Sequence, residues 1–371
     1  MSSLEELRAR LDVIDRQLLE LVAERQALGA QIAAVKRATG QSTRDFRRER
    51  EVLLKARRDA EALDVSPALA ESLMQALIQG SLTTQEQARI AWQGRGSGRS
   101  ALVIGGRGQM GRWFADFLAS QGFAITVADP AGEVAGYGHI ADWQASDLRH
   151  DLIVVATPIR IANEVLTALA ARAPTGVVFD LGSLKTPLRA GLEALRAAGC
   201  HVTSVHPMFG PDTELLSGRH VIFVDLGDAQ ALEEARSLFG STMADLVTMG
   251  LDEHDRLIAF VLGLSHALNI AFFTALAESG EDAPRLARMS STTFDSQLDI
   301  ATRVAAESPE LYYEIQSLNE YGAESLTALR MAVERVCEAV RQGDAPAFIS
   351  MMQRGHQYLR VRQAAREQAT A

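Results

Sequence analysis

"ALVIGGRGQMG", residues 101–111, is an apolar run that ends in a glycine-rich turn. Ala101–Ile104 reads as a buried strand, and Gly106, Gly108 and Gly111 stand at G-x-G-x-x-G spacing. Lacking a Cβ, glycine lets backbone and ligand approach closely at such a turn, and the helix beyond it presents unpaired N–H groups to a phosphate. The spacing alone is weak, because glycine-rich turns are common. Here the turn follows a strand, opens a helix, and is joined by an acidic residue, Asp129, ending the next apolar run "AITVAD". Together these make a dinucleotide fingerprint: the carboxylate takes the ribose hydroxyls and repels a 2′-phosphate, which favours NAD over NADP. Arg107, inside the turn, works against that preference. The runs "DLIVVATP", "GVVFDLGS" and "HVTSVHP" follow, separated by helical segments. Strands alternating with helices predict a Rossmann-like parallel sheet over residues 100–250, with helices on both faces.

From Leu251 onward strand signals vanish, and helical patterns over 251–371 predict an all-helical domain. On the other side, Leu4, Leu7, Leu11, Ile14, Leu18, Leu21, Leu28, Ile32 and Val35 recur at three-four spacing. That describes one helix of roughly 35 residues with a narrow apolar seam, as in a coiled coil or long bundle. Gly40 ends it, a second helix runs to about Ala62, and Ser66-Pro67 starts a third as N-cap and first helical residue. Residues 1–91 are thus a three-helix domain, and "WQGRGSGRS" (Trp92–Ser100) reads as a flexible linker over 92–99.

The chain has 371 residues and a net charge of −10, which argues against a general nucleic-acid binder. Residues 1–92 balance their basic and acidic side chains, so the deficit lies beyond them. Cys200 and Cys337 are too few and too isolated for a disulfide framework or a metal cluster, which makes a reducing cytoplasm the default and no metal the expectation. The N-terminus carries Glu5, Glu6 and Arg8 and lacks the apolar region of a signal peptide. Leu257–Ala277 has no charge and is long enough to span a bilayer, but Ser265, His266, Asn269 and Thr274 suit lipid poorly. A helix buried at a domain or dimer core is the expectation, with no membrane.

The seam of the first helix skips from Leu21 to Leu28, and Arg25 fills the gap. An arginine facing an apolar interior is costly unless something negative meets it; a structural ion pair would serve, as would an anionic ligand. Lys36 returns to nearly the same face after three turns, whereas Arg8 faces elsewhere, towards another subunit. In "TRDFRRERE" (Thr43–Glu51), Asp45, Arg48 and Glu49 share one face of the second helix, leaving Arg44, Arg47 and Arg50 as its solvated side. The third helix presents Leu73, Leu77, Ser81 and Gln85 at i+4 steps, a stripe that turns polar. These groups could surround a small dianion.

On these residues, Arg8, Arg25, Lys36, Asp45, Arg48, Glu49, Ser81 and Gln85, the first 90 positions resemble the all-helical chorismate mutase family, an intertwined dimer. The resemblance implies rearrangement of chorismate to prephenate, a pericyclic step that needs positioning and charge stabilisation rather than an acid-base pair. It implies that Arg25, Arg8 of the partner subunit and Arg48 hold the carboxylates. Lys36 and Gln85 would donate to the ether oxygen, while Asp45 and Glu49 position the hydroxyl. Some fused members carry glutamate at the position of Gln85. Glutamine donates at any pH, so mutase activity is expected to persist above neutrality.

The remaining candidates are His206 in "SVHPMFGPD", Ser183 in "DLGSLK", His266 in the uncharged helix and Arg303 in "DIATRVA". His206 and Ser183 follow strand ends, where ligands collect in open parallel sheets, although a turn histidine and an N-cap serine read the same way. His266 could be a satisfied core residue and Arg303 a surface ion pair. In their order, with "HPMFGPD", "LGSLK" and "EHD" (Glu253–Asp255), these motifs resemble the prephenate dehydrogenase family from about residue 100 to near the C-terminus.

The whole chain therefore resembles a fusion of the two families, a bifunctional enzyme of tyrosine biosynthesis. By that resemblance His206 accepts the C4 hydroxyl proton while hydride leaves for NAD, and loss of CO2 gives 4-hydroxyphenylpyruvate. Ser183 would orient His206, Arg303 would bind a substrate carboxylate, and His266 would assist. Asp295 in "TTFDSQLD" stands where some fused relatives are basic. Family members are commonly inhibited by tyrosine, and a homodimer is expected. Two other readings remain: a mutase fused to an arogenate or other small hydroxy-acid dehydrogenase, or a non-catalytic nucleotide-sensing dimer.

Overall fold

The computed structural model describes residues 3–41 and 43–369. Three helices come first: α1 (Leu4–Ala38), α2 (Phe46–Ala62) and α3 (Pro67–Trp92). Ser3 opens α1 in a reciprocal capping box: its hydroxyl takes the Glu6 N–H, and the Glu6 carboxylate takes the Ser3 N–H at 2.8 Å. Asp45 is the N-cap of α2, accepting the Arg48 N–H at 2.9 Å, and Ser66 with Pro67 starts α3 as the sequence predicts. The seam of α1 stays open to solvent along its length, with Leu4 at 62%, Leu18 at 51% and Val35 at 63% exposure.

Eight strands follow: β1 (Ser100–Ile104), β2 (Ala124–Ala128), β3 (Gly138–Ile140), β4 (Leu152–Val155), β5 (Val177–Asp180), β6 (Val202–Pro207), β7 (His220–Val224) and β8 (Asp245–Met249). Between them lie α4 (Gln109–Ser120), α5 (Ile159–Arg172), α6 (Arg189–Ala197) and α7 (Ala229–Leu238). The strands form one sheet in the order β3-β2-β1-β4-β5-β6-β7-β8. The order reverses between β1 and β4, and there the crevice outside the carboxyl ends of the strands takes ligands in open α/β sheets. The sheet is parallel from β3 to β6, as the alternation predicts. At β6 it turns: β7 runs antiparallel to it with His206 opposite Ile222, and β8 is parallel to β7.

The core beneath the sheet is aromatic. Phe114 and Phe117 of α4 meet Phe179 and Phe239, with ring centroids 4.9–6.0 Å apart. Each fully buried ring contributes about 1.5–3 kcal/mol over leaving it in water.

The segment joining α3 to β1 is not the flexible linker its composition suggests. A Cβ on Gly94 would sit 2.3 Å from the Gln121 carbonyl oxygen, and one on Gly96 would sit 2.1 Å from the Phe123 nitrogen. The Gly96 N–H donates to Gln121 at 2.9 Å, and Arg99 pairs with Glu234 at 2.7 Å. These glycines admit close backbone packing.

The chain up to Ser183, with Leu188–Leu251, forms one compact unit, and Leu184–Pro187 with everything from Asp252 forms a second. The second unit is helical: α8 (Leu251–Ile258), a π-helical turn Ala259–Leu264, α9 (Ser265–Glu278), α10 (Ala283–Ala287), α11 (Thr292–Ala305), α12 (Pro309–Leu318), α13 (Gly322–Gln342) and α14 (Ala345–Ala369). The wide π turn frees backbone groups, and Gln316 donates to the Gly263 carbonyl at 2.8 Å. Leu251–Glu278 is long and apolar enough to cross a membrane. Of the two expected burial sites, a domain core does not cover this stretch: in the single chain Phe260 is 44% exposed and Val261 53%.

Candidate functional site

The glycine turn is built as its spacing requires. Gly105, at φ +81°, turns the chain where an L side chain would be strained, and a Cβ on Gly111 would lie 2.3 Å from the Gly105 carbonyl oxygen. A Cβ on Gly106 would meet Val127 at 2.8 Å, and one on Gly108 would meet the Gly105 oxygen at 3.2 Å. Gly105 and Gly111 are therefore steric needs, Gly106 and Gly108 sit in tighter space than most side chains accept, and Gly108 N-caps α4 with no side chain over the helix end. Asp129 is buried at the end of β2, its carboxylate accepting the Arg107 N–H at 3.0 Å and the Ala131 N–H at 2.9 Å. The Arg107 guanidinium bonds to the Ala131 carbonyl. The cradle and the fixed carboxylate fit a dinucleotide.

His206 is buried near the end of β6, and Ser183, half-buried, follows β5 in the neighbouring strand position, with Asp180 opposite Ser204. Both thus stand at the carboxyl end of the sheet. The chain just past His206 is held by α4, where the Trp113 indole donates to the Thr213 carbonyl at 2.9 Å.

In the helical unit His266 is largely buried, its ring centroid 4.2 Å from that of Tyr312, and its Nδ1 has no hydrogen-bond partner among the described residues. Burial pushes its pKa down to about 4, so the ring is neutral at physiological pH. Arg303 is exposed on α11, donating to the Asp299 carbonyl of its own helix at 3.3 Å. The "EHD" motif serves a buried knot. Asp255 accepts the N–H groups of Lys185 and Thr186 at 2.7–3.0 Å, the Thr186 hydroxyl at 2.6 Å, and pairs with His254 at 2.6 Å. Burial raises the Asp255 carboxyl, but the bonds from His254 and Thr186 together outweigh it and hold the group below the usual carboxylate range. Nothing in the spacing of Lys185 and Asp255 announces this contact across 70 positions.

The helical N-terminal part gathers some of its expected residues. Arg25 donates from Nη1 to Ser81 Oγ and to the Leu77 carbonyl, both at 2.8 Å, leaving its other N–H groups for an anion. Lys36 and Gln85 line one cavity of about 160 Å³ with Thr43, Arg89 and Trp92. Lys36 donates to the Thr43 carbonyl at 2.9 Å, and the Gln85 amide oxygen is buried with no partner among the described residues. Asp45, Arg48 and Glu49 do not line that cavity. Asp45 caps its helix, Arg48 is exposed and pairs with Glu51 at 3.4 Å, and Glu49 is gripped by Arg44 through two bonds at 2.9 and 3.0 Å. Arg44 is therefore not on the solvated side with Arg47 and Arg50; it turns inward. Arg8 lies exposed on α1.

Family models fall on all three parts. The chorismate mutase type II model matches residues 7–86, the nucleotide-binding domain of prephenate dehydrogenase 132–248, and the dimerization domain of prephenate dehydrogenase 251–354. A T-protein of Enterobacter agglomerans is 30% identical over 365 residues, 96% of this chain and 93% of that one. This chain belongs to the T-protein family. Like other members of the T-protein family it is a bifunctional enzyme of tyrosine biosynthesis, an isomerase and an oxidoreductase in one chain. The 4-amino-4-deoxyprephenate dehydrogenase of Streptomyces pristinaespiralis is also 30% identical, over 67% of this chain and 88% of its own length. Among solved structures, prephenate dehydrogenase from A. aeolicus in complex with hydroxyphenyl propionate and NAD+ shares the fold. Its TM-score is 0.56 at 18% identity, covering 71% of this chain and 98% of that one.

Proposed function

We propose that this T-protein family member converts chorismate to prephenate on its helical N-terminal part and, with hydride transfer to NAD+ and loss of CO2, converts that product to 4-hydroxyphenylpyruvate on the sheet. The observation that carries the first step is Arg25, a cation in an apolar seam held by Ser81 with donors to spare. Arg25, Arg48 and Arg8 of a second copy bind the substrate carboxylates. Lys36 and Gln85, which share a cavity, donate to the ether oxygen as the bond breaks; Asp45 and Glu49 fix the hydroxyl. No proton moves, and the rate comes from orientation and from donors already aimed at developing charge.

For the second step His206 takes the C4 hydroxyl proton, and Ser183 orients it. Gly106, Gly108, Gly111 and Asp129 hold NAD, which when bound supplies the hydride acceptor. Arg303 binds a carboxylate of the substrate, and neutral His266 contacts its polar groups. Prephenate, the product of the mutase half, is the substrate in preference to arogenate or another small hydroxy acid. A homodimer in the cytoplasm is the working form: the exposed seam of α1 and the apolar face at Phe260 and Val261 need a cover. Tyrosine acts as feedback inhibitor.

Full-length protein given chorismate and NAD+ should release NADH and 4-hydroxyphenylpyruvate, and His206→Asn should stop NADH while prephenate accumulates. Steady-state rates with prephenate and arogenate decide the substrate. A folded full-length protein that turns over neither chorismate nor prephenate would leave only a nucleotide-sensing dimer.

A further inference from the structure

Glu86 lies one residue beyond Gln85 on α3, yet it is completely buried, and it points away from the mutase cavity into the nucleotide-binding part. Its Oε2 accepts the Leu216 N–H at 2.7 Å and its Oε1 accepts the Met243 N–H at 2.5 Å. The two acceptors fix two separate loops, one between β6 and β7 and one between α7 and β8. Arg89, one turn further on, donates to the carbonyls of Ser241 and Thr242 at 2.5 and 2.6 Å and to Thr43 Oγ1 at 3.0 Å. Burial holds the Glu86 carboxyl above the usual carboxylate range, an effect that the two N–H groups and nearby Arg89 offset only in part.

A second contact crosses the same joint. Arg44, whose guanidinium grips Glu49, donates from Nη1 to Ser217 Oγ at 2.5 Å. Residues 208–219 are thus held from α3 at Leu216, from the start of α2 at Ser217, and from α4 at Thr213. This loop begins two residues after His206, and α4 begins at the glycine turn.

We propose that Glu86 and Arg44 form a two-way joint: Glu86, carried by the mutase helix, positions the loop behind His206, and Ser217 of that loop steadies Arg44 and so Glu49. Neither Glu86 nor Ser217 touches a substrate; both are positioning residues. The inference rests on the assignment of His206 and Glu49 to the two active sites.

The buried carboxylate offers two acceptors to two N–H groups. Glutamine offers one acceptor, and its amide N–H faces the other backbone donor without a partner. In full-length Glu86→Gln, assayed with prephenate and NAD+ so that the mutase is bypassed, kcat per folded protein should fall roughly tenfold. KM for NAD+ should stay near the wild-type value, because the glycine turn is untouched. Conversely, Ser217→Ala should lower the mutase kcat about threefold, with chorismate as substrate, through the loosened Arg44–Glu49 pair. Should Glu86→Gln not yield folded protein, Glu86→Asp, which keeps both acceptors but is one methylene shorter, answers the same question.

A purely structural role would lower Tm in these variants and leave both kcat values per folded protein unchanged, and that outcome overturns the proposal. A fall on one side only overturns its two-way form. The arms are separable from the assignments beneath them: an active His206→Asn would undo the dehydrogenase reading itself, whereas an inactive His206→Asn beside a fully active Glu86→Gln removes only the joint.

Discussion

Arg25 and His206, the residues proposed for the two chemistries, stand on opposite kinds of ground. Arg25 sits on a helix whose apolar seam lies open to water, so its surroundings are unfinished within one chain. His206 sits in a sheet whose core the chain closes by itself, among strands buried on both faces. A helix buries only one stripe, and a single long helix has to find a second surface to cover it. A parallel sheet brings its own helices with it. In the proposed homodimer the mutase part depends on a second copy to cover this seam, whereas the sheet core is closed by its own packing.

The sharpest break of that contrast is His206→Asn. It should cost the dehydrogenase a factor of roughly 10³, the usual scale for losing a general base, with chorismate turnover intact by direct assay of prephenate. Next comes Arg25→Met, expected to lower mutase kcat/KM about 100-fold while oxidation of supplied prephenate continues, since an arginine-bound carboxylate loses a charge-assisted pair. Leu18→Asp puts a charge into the open seam. It should weaken the assembly, so that mutase activity per chain falls on dilution over a range where the dehydrogenase core, by circular dichroism, stays folded. Its mutase rate staying independent of concentration would count against the partner's role.

A smaller effect concerns stability against pH. The buried His266 has a folded pKa of about 4 against 6.5 when unfolded. Above the unfolded value both states are neutral and the group is silent. As pH falls through 6.5 towards 4 the unfolded chain takes up a proton that the folded chain does not, and stability drops by up to roughly 3 kcal/mol. His266→Gln should flatten that part of the curve in denaturant titrations. Smallest in effect at neutrality is Gln85→Glu, which should make the mutase rate fall between about pH 6 and 8, because glutamate must hold a proton to donate.

Much of this was legible in sequence, and the reasons are local. Ser66-Pro67 and Gly40 mark helix ends by chemistry that acts within one turn, and the glycine turn announces itself through sterics that the packing at Gly105 and Gly111 repeats. The missed strands fail for different reasons. β3 has three residues, too few for a period. β7 and β8 are paired by a reversal at β6 that only tertiary packing decides. Glu86 and Arg44 look like any surface charge on a helix, since their partners lie 130 and 173 positions away. Asp45 shows what a shared helical face leaves out: its carboxylate also caps its own helix, a use that the spacing does not reveal.

The packing of Gly94 and Gly96 against residues 121–123 has a bearing on how the chain comes apart. A protease needs several residues of slack chain to seat a peptide bond, and the joint between mutase and sheet offers little, held as it is by the Gly96–Gln121 bond and the Arg99 ion pairs. Digestion under native conditions should spare residues 93–99 and cut first around the exposed stretch 279–291, whose short helix α10 buries no residue. The mutase helices and the sheet would then stay joined in one piece, and a composition that reads as a hinge would act as a weld.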